Sequence, residues 1–328
     1  VSAAERIEDL RRAAGSAVVE SFFRGLSRVA SLHPNARPER HGVIVERDIA
    51  YVDRPGPEHR LDVYRPVRDA QGPRPVVMYV HGGGFRILSK DTHWLMGLAF
   101  ARRGYVVFNV DYRLAPRHPF PAALEDAGAA LSWVTKNAHR WGGDPSRIVL
   151  AGESAGANIV AALTLACCYE RDEPYAKRVF ELGVVPVATL PACGIFQVSD
   201  VQRFARRKKG FPRFVMDRLE EVSHAYLGRD HTAYGTSLDL ADPVCFLERA
   251  QAPARPLPPF FLPVGTRDPL LDDTRRLARA VSALGGEAIT KIYPGEVHAF
   301  HAFVFRGAAR RCWQEMLTFL DGKASASA

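Results

Sequence analysis

Long apolar runs are missing from this chain: no stretch reaches the 18 or more residues that a membrane span needs, so stable membrane insertion is not expected. The first 30 residues do not form the apolar core of a signal peptide either, because Glu5, Glu8, Asp9 and Glu20 are mixed with Arg6, Arg11 and Arg12. Cysteine is scarce. Cys167, Cys168, Cys193, Cys245 and Cys312 are odd in number and lack Cys-x-x-Cys spacing, which argues against a disulfide scaffold, a zinc site or a redox pair. Internal repeats are absent, and low complexity is confined to the Ala/Ser tail 324–328, which is expected to fray. These absences lead to the expectation of a reduced, cytoplasmic protein. Val1 stands where an initiator Met is expected, so a few native residues are expected ahead of it.

What is present is an ordinary globular composition. With 47% hydrophobic and 24% charged residues over 328 positions, the chain can bury a core, and collagen-like, disordered and coiled-coil readings fall away. The length suits two domains or one large α/β domain with insertions. A net charge of +8 would ordinarily raise nucleic acid or an anionic surface as partners. Its distribution argues otherwise, because Arg203, Arg206, Arg207, Lys208, Lys209 and Arg213 lie within one short segment without an acid, and the rest is nearly balanced. Aromatic residues there are limited to Phe204, Phe211 and Phe214, and no nucleic-acid recognition motif accompanies them.

The middle of the chain alternates short β-rich apolar runs with longer helical patterns, the signature of βαβ units and a mostly parallel sheet. Eight strands are predicted, at 43–52, 59–65, 75–80, 105–110, 147–152, 183–190, 259–264 and 288–293, with helices at 91–103, 121–140, 155–170, 272–284 and 306–321. Near-continuous apolar runs such as Val76-Val77-Met78-Tyr79-Val80 suit strands covered on both faces, whereas the first two are more polar and suit an antiparallel edge. Two segments fall outside the alternation. One is the amphipathic stretch 1–40; the other is an insertion at about 192–245, with a helical pattern around Phe214–Leu227. Ligands of such sheets bind beyond the carboxyl ends of the strands. The two segments are therefore read together as a lid there, against the plainer reading of an arm and a solvated loop.

The strongest motif is Gly152-Glu153-Ser154-Ala155-Gly156, which follows the apolar run 147–151 and opens a helical pattern. A sharp strand-to-helix turn thrusts a serine hydroxyl clear of the sheet, and flanking glycines remove clashing Cβ atoms. Upstream, strand 75–80 runs into His81-Gly82-Gly83-Gly84-Phe85, whose backbone N–H groups suit a developing oxyanion. A phosphate loop would need a Lys-Ser/Thr pair that is absent. His81 is read as a residue that holds the loop.

A serine hydroxyl needs a general base, and the base needs a carboxylate to fix its tautomer. In this fold type the order is Ser, acid, His. Only His298 and His301 follow strand 259–264, and the first acid after that strand is Asp268. His298 is preferred because it follows the last strand closely, and His301 is the alternative. Asp272 and Asp273 are read as charges favoured at a helix N-terminus.

With these residues in view, the chain resembles the hormone-sensitive-lipase-like family of α/β-hydrolase esterases over roughly residues 40–320. The resemblance rests on His81–Phe85, Asp111-Tyr112-Arg113-Leu114-Ala115-Pro116, Phe120-Pro121-Ala122-Ala123-Leu124-Glu125-Asp126, the turn at 152–156, Asp268-Pro269-Leu270 with Asp272, and His298-x-Phe300. It implies Ser154 as nucleophile, His298 as base, Asp268 as its orienting acid and an oxyanion hole from the N–H groups of Gly82, Gly83 and Ala155. It further implies cap helices in 1–40 and a cap insertion in 192–245, around a catalytic core formed by 41–191 and 246–328. Departures are Glu153 where Asp or Thr is frequent, and Ala157 and Ala299 where Gly is common.

The expected reaction is hydrolysis of short- to medium-chain acyl esters through an acyl-enzyme, with no metal or cofactor and a small-molecule ester as partner. An amidase or lactonase would use the same residues. A hydrolase-fold receptor is a rival from another class, although such a protein commonly loses a catalytic residue and none is lost here. The resemblance also admits a homodimer built on 288–293 and 306–321, which no sequence feature demands. For the basic run, two readings stand: a solvated piece of cap, or an entrance that steers anionic esters.

Overall fold

The computed structural model describes residues 3–67, 72–207, 210–230, 234 and 238–324. In chain order the main elements are α1 (Ala3–Leu32), β1 (Val43–Ala50), β2 (Arg60–Pro66), β3 (Arg74–Val80), α2 (Trp94–Ala101), β4 (Val106–Val110) and α3 (Ala122–Asn137). There follow β5 (Gly143–Glu153), α4 (Ala155–Cys168), α5 (Pro174–Glu181), β6 (Ala188–Ala192), α6 (Arg203–Arg207), α7 (Arg213–Leu227) and α8 (Pro243–Arg249). The chain closes with β7 (Phe260–Gly265), α9 (Leu271–Ala283), β8 (Ala288–Tyr293) and α10 (Gly307–Ala324).

The eight strands form one sheet in the order β1-β2-β4-β3-β5-β6-β7-β8. The β1/β2 and β2/β4 pairs are antiparallel, as the polar character of the first two strands suggests, and every other pair is parallel. Alternation along each strand divides the core in two. Val76, Met78, Val80, Phe108 and Leu150 pack with α3, α4 and α9. Val77, Tyr79, Val107 and Val149 face the other way, against α2 and α10.

The sixth strand departs from its predicted span. It starts at Ala188 and not at 183, because Pro186 has no N–H for a ladder and 183–187 is irregular chain. Helix α5, ahead of it, has no counterpart among the predicted helices.

No helix among the described residues is long and apolar enough to cross a membrane. All five cysteines are free thiols.

The basic run is more structural than either reading allowed. Arg203 is buried, and its guanidinium lies 2.5 Å from Asp273, which also accepts the Phe196 N–H. Asp273 therefore ties the insertion to α9 besides lying at that helix's first turn. Arg206 pairs with Asp200 at 2.5 Å and Arg207 with Asp272 at 3.5 Å. Lys208 and Lys209, like the tail 325–328, lie outside the described residues.

Candidate active site

Adjacent parallel strands deliver the serine and the glycine loop to one place. In the β3/β5 ladder Val80 stands opposite Gly152, so the loops beginning at His81 and Glu153 leave the sheet side by side at its carboxyl edge. Ser154 takes φ 55°, ψ −115°, the strained turn that a serine elbow requires. A Cβ on Gly156 would sit 2.1 Å from the Val80 carbonyl oxygen, so only glycine lets the helix start this close to β3. The Ser154 N–H is anchored on the Ala192 carbonyl at the end of β6.

Asp268 follows β7 and His298 follows β8, which are parallel neighbours with Gly265 opposite Tyr293. His298 Nε2 lies 3.0 Å from Ser154 Oγ, and its Nδ1 lies 2.9 Å from Asp268 Oδ2. The other Asp268 oxygen accepts the Leu270 N–H at 2.8 Å, and the side chain is fully buried. Burial works against an imidazolium at His298, yet the Asp268 carboxylate, with Cys193 beside it, outweighs this and the net direction is well upward from 6.5. Ala299, at a position where the resemblance suggests Gly, has φ 54°. It bears a left-handed strain that glycine would not.

The sequence-derived residues thus meet, with one correction. Gly82 was expected to aim its N–H at an oxyanion, but that N–H donates to Glu153 Oε1 at 2.6 Å. Among the described residues no protein acceptor takes the N–H of Gly83, Gly84 or Ala155. Gly83 has φ 111°, and a Cβ there would lie 2.1 Å from the Ile87 carbonyl oxygen, so a side chain is excluded. The expectation for Gly83 and Ala155 is compatible with this geometry, whereas the Gly82 N–H is already taken by Glu153. His301, the alternative base, is buried and does not line the cavity that Ser154 and His298 share, and burial lowers its pKa to about 4. His81 supports the loop as expected. It contacts the Gly82 carbonyl through Nδ1 at 2.7 Å and stacks on Tyr112 at 4.4 Å.

Sequence reasoning missed His93 and the use of Glu153. His93 Nε2 lies 2.6 Å from the Glu153 oxygen that holds Gly82, and His93 Nδ1 lies 3.0 Å from the Ser89 carbonyl oxygen. With Nδ1–H donating to Ser89, the neutral ring presents a lone pair at Nε2. The short contact then needs a proton on Glu153. Burial agrees: it raises Glu153 to about 8 and lowers His93 to about 4. The only available signal was the departure of position 153 from the family's frequent residues.

The sign of the linkage follows. Glu153 ordinarily titrates near 4.5, so between there and about 8 the folded chain holds a proton that the unfolded chain has lost. Stability from this group is present at low pH and falls through that window, by at most roughly 1.4 kcal/mol per pH unit. In Glu153→Gln this dependence should vanish. Thermal unfolding at pH 5, 6.5 and 8 is expected to show the wild type losing Tm relative to the variant; parallel curves would mean that Glu153 is already ionised.

The loops enclose a cavity of about 360 Å³ whose lining includes Ser154 and His298. Helix α1 contributes Val19, Phe23 and Leu26, and α7 contributes Phe214, Val215 and Leu219. Arg86 and Arg218 also reach it, and both pair with Glu221. None of the described cations of the basic run lines the cavity, which leaves the steering expectation without a contact.

Comparison with known proteins agrees with this architecture. Residues 77–302 match a family with the α/β-hydrolase fold. Carboxylesterase NlhH of Mycobacterium tuberculosis is 36% identical over 235 residues, covering 70% of this chain and 67% of its own. Among solved structures, the esterase LipW of Mycobacterium marinum superposes with a TM-score of 0.74 at 27% identity, covering 94% of this chain and 90% of its own. The Pyrobaculum calidifontis esterase gives 0.72 at 26%, covering 95% and 94%. The chain belongs to the hormone-sensitive-lipase-like family of α/β-hydrolases, and the matched relatives named here are esterases.

Proposed function

We propose that the protein hydrolyses short- to medium-chain acyl esters, with Ser154 as nucleophile, His298 as base and Asp268 as orienting acid. The observation that carries the reading is the bridge made by His298, one ring nitrogen on Ser154 Oγ and the other on Asp268. His298 takes the serine proton as Oγ attacks the ester carbonyl. The oxyanion is held by the N–H groups of Gly83 and Ala155, and each such donor contributes about 3–4 kcal/mol. The alcohol leaves with the proton from His298, and water then repeats the sequence on the acyl-enzyme. No step calls on a metal or cofactor.

The cavity supports the acyl-length assignment. Its volume of about 360 Å³ sits near the lower end of small-ligand sites. Helices α1 and α7, from segments 1–40 and 192–245, act in this reading as the cap that keeps water from the acyl chain.

Labelling with a fluorophosphonate tests the nucleophile, and a p-nitrophenyl ester series from acetyl to palmitoyl tests the chain length. Ser154 is expected to carry the label, with kcat/KM highest for acetyl to octanoyl esters. An unlabelled Ser154 overturns the mechanism, whereas a maximum at palmitoyl overturns only the substrate class.

A further inference from the structure

Cys193 is a thiol that the proposed mechanism does not use, although it lies against the site. It follows β6 with φ 41°, a left-handed backbone at a non-glycine residue, and it is fully buried. Its Sγ, a carboxylate oxygen of Asp268 and a ring nitrogen of His298 all lie within 4.8 Å of one another. One thiol, one imidazole and one carboxylate make a three-ligand set of the kind that borderline-soft divalent ions take, and oxygen-seeking ions such as Mg²⁺ do not.

We infer that Cys193, His298 and Asp268 form an inhibitory site for zinc and similar thiophilic divalent cations, which bind in place of the proton between His298 Nδ1 and Asp268. Ligand atoms around tetrahedral zinc stand roughly 3.3–3.7 Å apart, so closing the cluster takes side-chain shifts on the order of 1 Å. His298, whose side chain is 34% exposed, gives the ion its way in. On binding, the thiol releases its proton to solvent, and the metal displaces the neutral ring's single proton from Nδ1. That proton is taken up at Nε2 through solvent, so the ring stays neutral with its one proton on Nε2. That tautomer is the wrong one, because an Nε2–H facing Ser154 Oγ cannot accept the serine proton. The inhibitory consequence rests on the serine-hydrolase reading; the metal site itself does not.

The experiment therefore has two arms on the full chain after chelator treatment. In the first, Zn²⁺ and Cd²⁺ are titrated into p-nitrophenyl butyrate assays of the wild type, Cys193→Ala and Cys193→Ser, each relative to its own metal-free rate, with Mg²⁺ as control. Inhibition reversed by EDTA is expected, with the half-inhibiting concentration raised roughly 10–100-fold in Cys193→Ala. Equal sensitivity of wild type and Cys193→Ala, or equal inhibition by Mg²⁺, would overturn the site. In the second arm, Co²⁺ is added to Ser154→Ala, which keeps all three ligands. A thiolate-to-cobalt charge-transfer band is expected, and it should be lost in the Ser154→Ala/Cys193→Ala double variant, which controls for the partly exposed Cys245. No band, or a band that survives in the double variant, overturns the site whatever the enzyme hydrolyses. A chain that binds Co²⁺ through Cys193 but turns over no ester would instead overturn the functional reading alone.

Discussion

Ser154→Ala should lower kcat for a p-nitrophenyl ester by about 10⁶-fold, the loss typical when a serine hydrolase loses its nucleophile. The size of the effect comes from the way the groups act as a unit. His298 Nε2, 3.0 Å from Ser154 Oγ, has no other proton to take once the hydroxyl is gone. Without the nucleophile, the proposed oxyanion donors Gly83 and Ala155 still stabilise attack by water, and a residual enhancement of about 10³–10⁴ over the uncatalysed reaction should remain. Ester binding should persist, because the apolar lining from α1 and α7 is untouched. Purified variant assayed at high enzyme concentration checks this, with wild-type contamination excluded by fluorophosphonate titration. Turnover within tenfold of the wild type would remove Ser154 from the mechanism.

Asp268→Asn should reduce kcat by about 10⁴-fold with little structural change. An asparagine amide presented to His298 Nδ1 favours the ring with its proton on Nε2, which leaves no acceptor for the serine proton. Two consequences separate this from general damage. The Leu270 N–H, now held by Asp268 Oδ1 at 2.8 Å, can still find the amide oxygen, so Tm should change far less than activity. The Asp268 carboxylate is also the largest influence holding the His298 pKa up against burial. The base is competent only when deprotonated, so kcat/KM should rise with pH through the His298 pKa, and in the variant that rise should move to lower pH. A limb that stays in place would show that another group sets it.

How much of this was legible can be read from particular elements. Of the strands that position the site, β3, β7 and the second half of β5 are apolar runs bounded by glycine, proline or polar residues, while β5 starts at Gly143, ahead of the expected 147, and β8 mixes Thr290 and Lys291 with apolar residues. Local chemistry was therefore enough to find them. The triad residues followed from chain order and a short supply of histidines, with the family resemblance pointing to the same three. Helix α5 escaped because it is short and highly charged, and its apolar face shows only once it packs on α3 and α4. The start of β6 escaped because the apolar run 183–187 looks like a strand until the missing N–H of Pro186 is set against a neighbour that must bond to it.

The oxyanion loop marks the limit most clearly. Three consecutive glycines announce exposed N–H groups, but which of them point outward depends on what else competes for them. Glu153, 71 residues from Gly82, takes one because β3 and β5 pair in register. The same holds for the basic run, whose Arg203 is spent on Asp273, 70 residues away. By itself the sequence determined the sheet and the serine elbow and singled out His298 and Asp268 as the proposed base and acid, since periodicity, glycine requirements and chain order are local or one-dimensional properties. Only the tertiary structure decided the partner of each polar group, because a buried hydrogen bond or ion pair joins residues distant in the chain and its strength depends on excluding water.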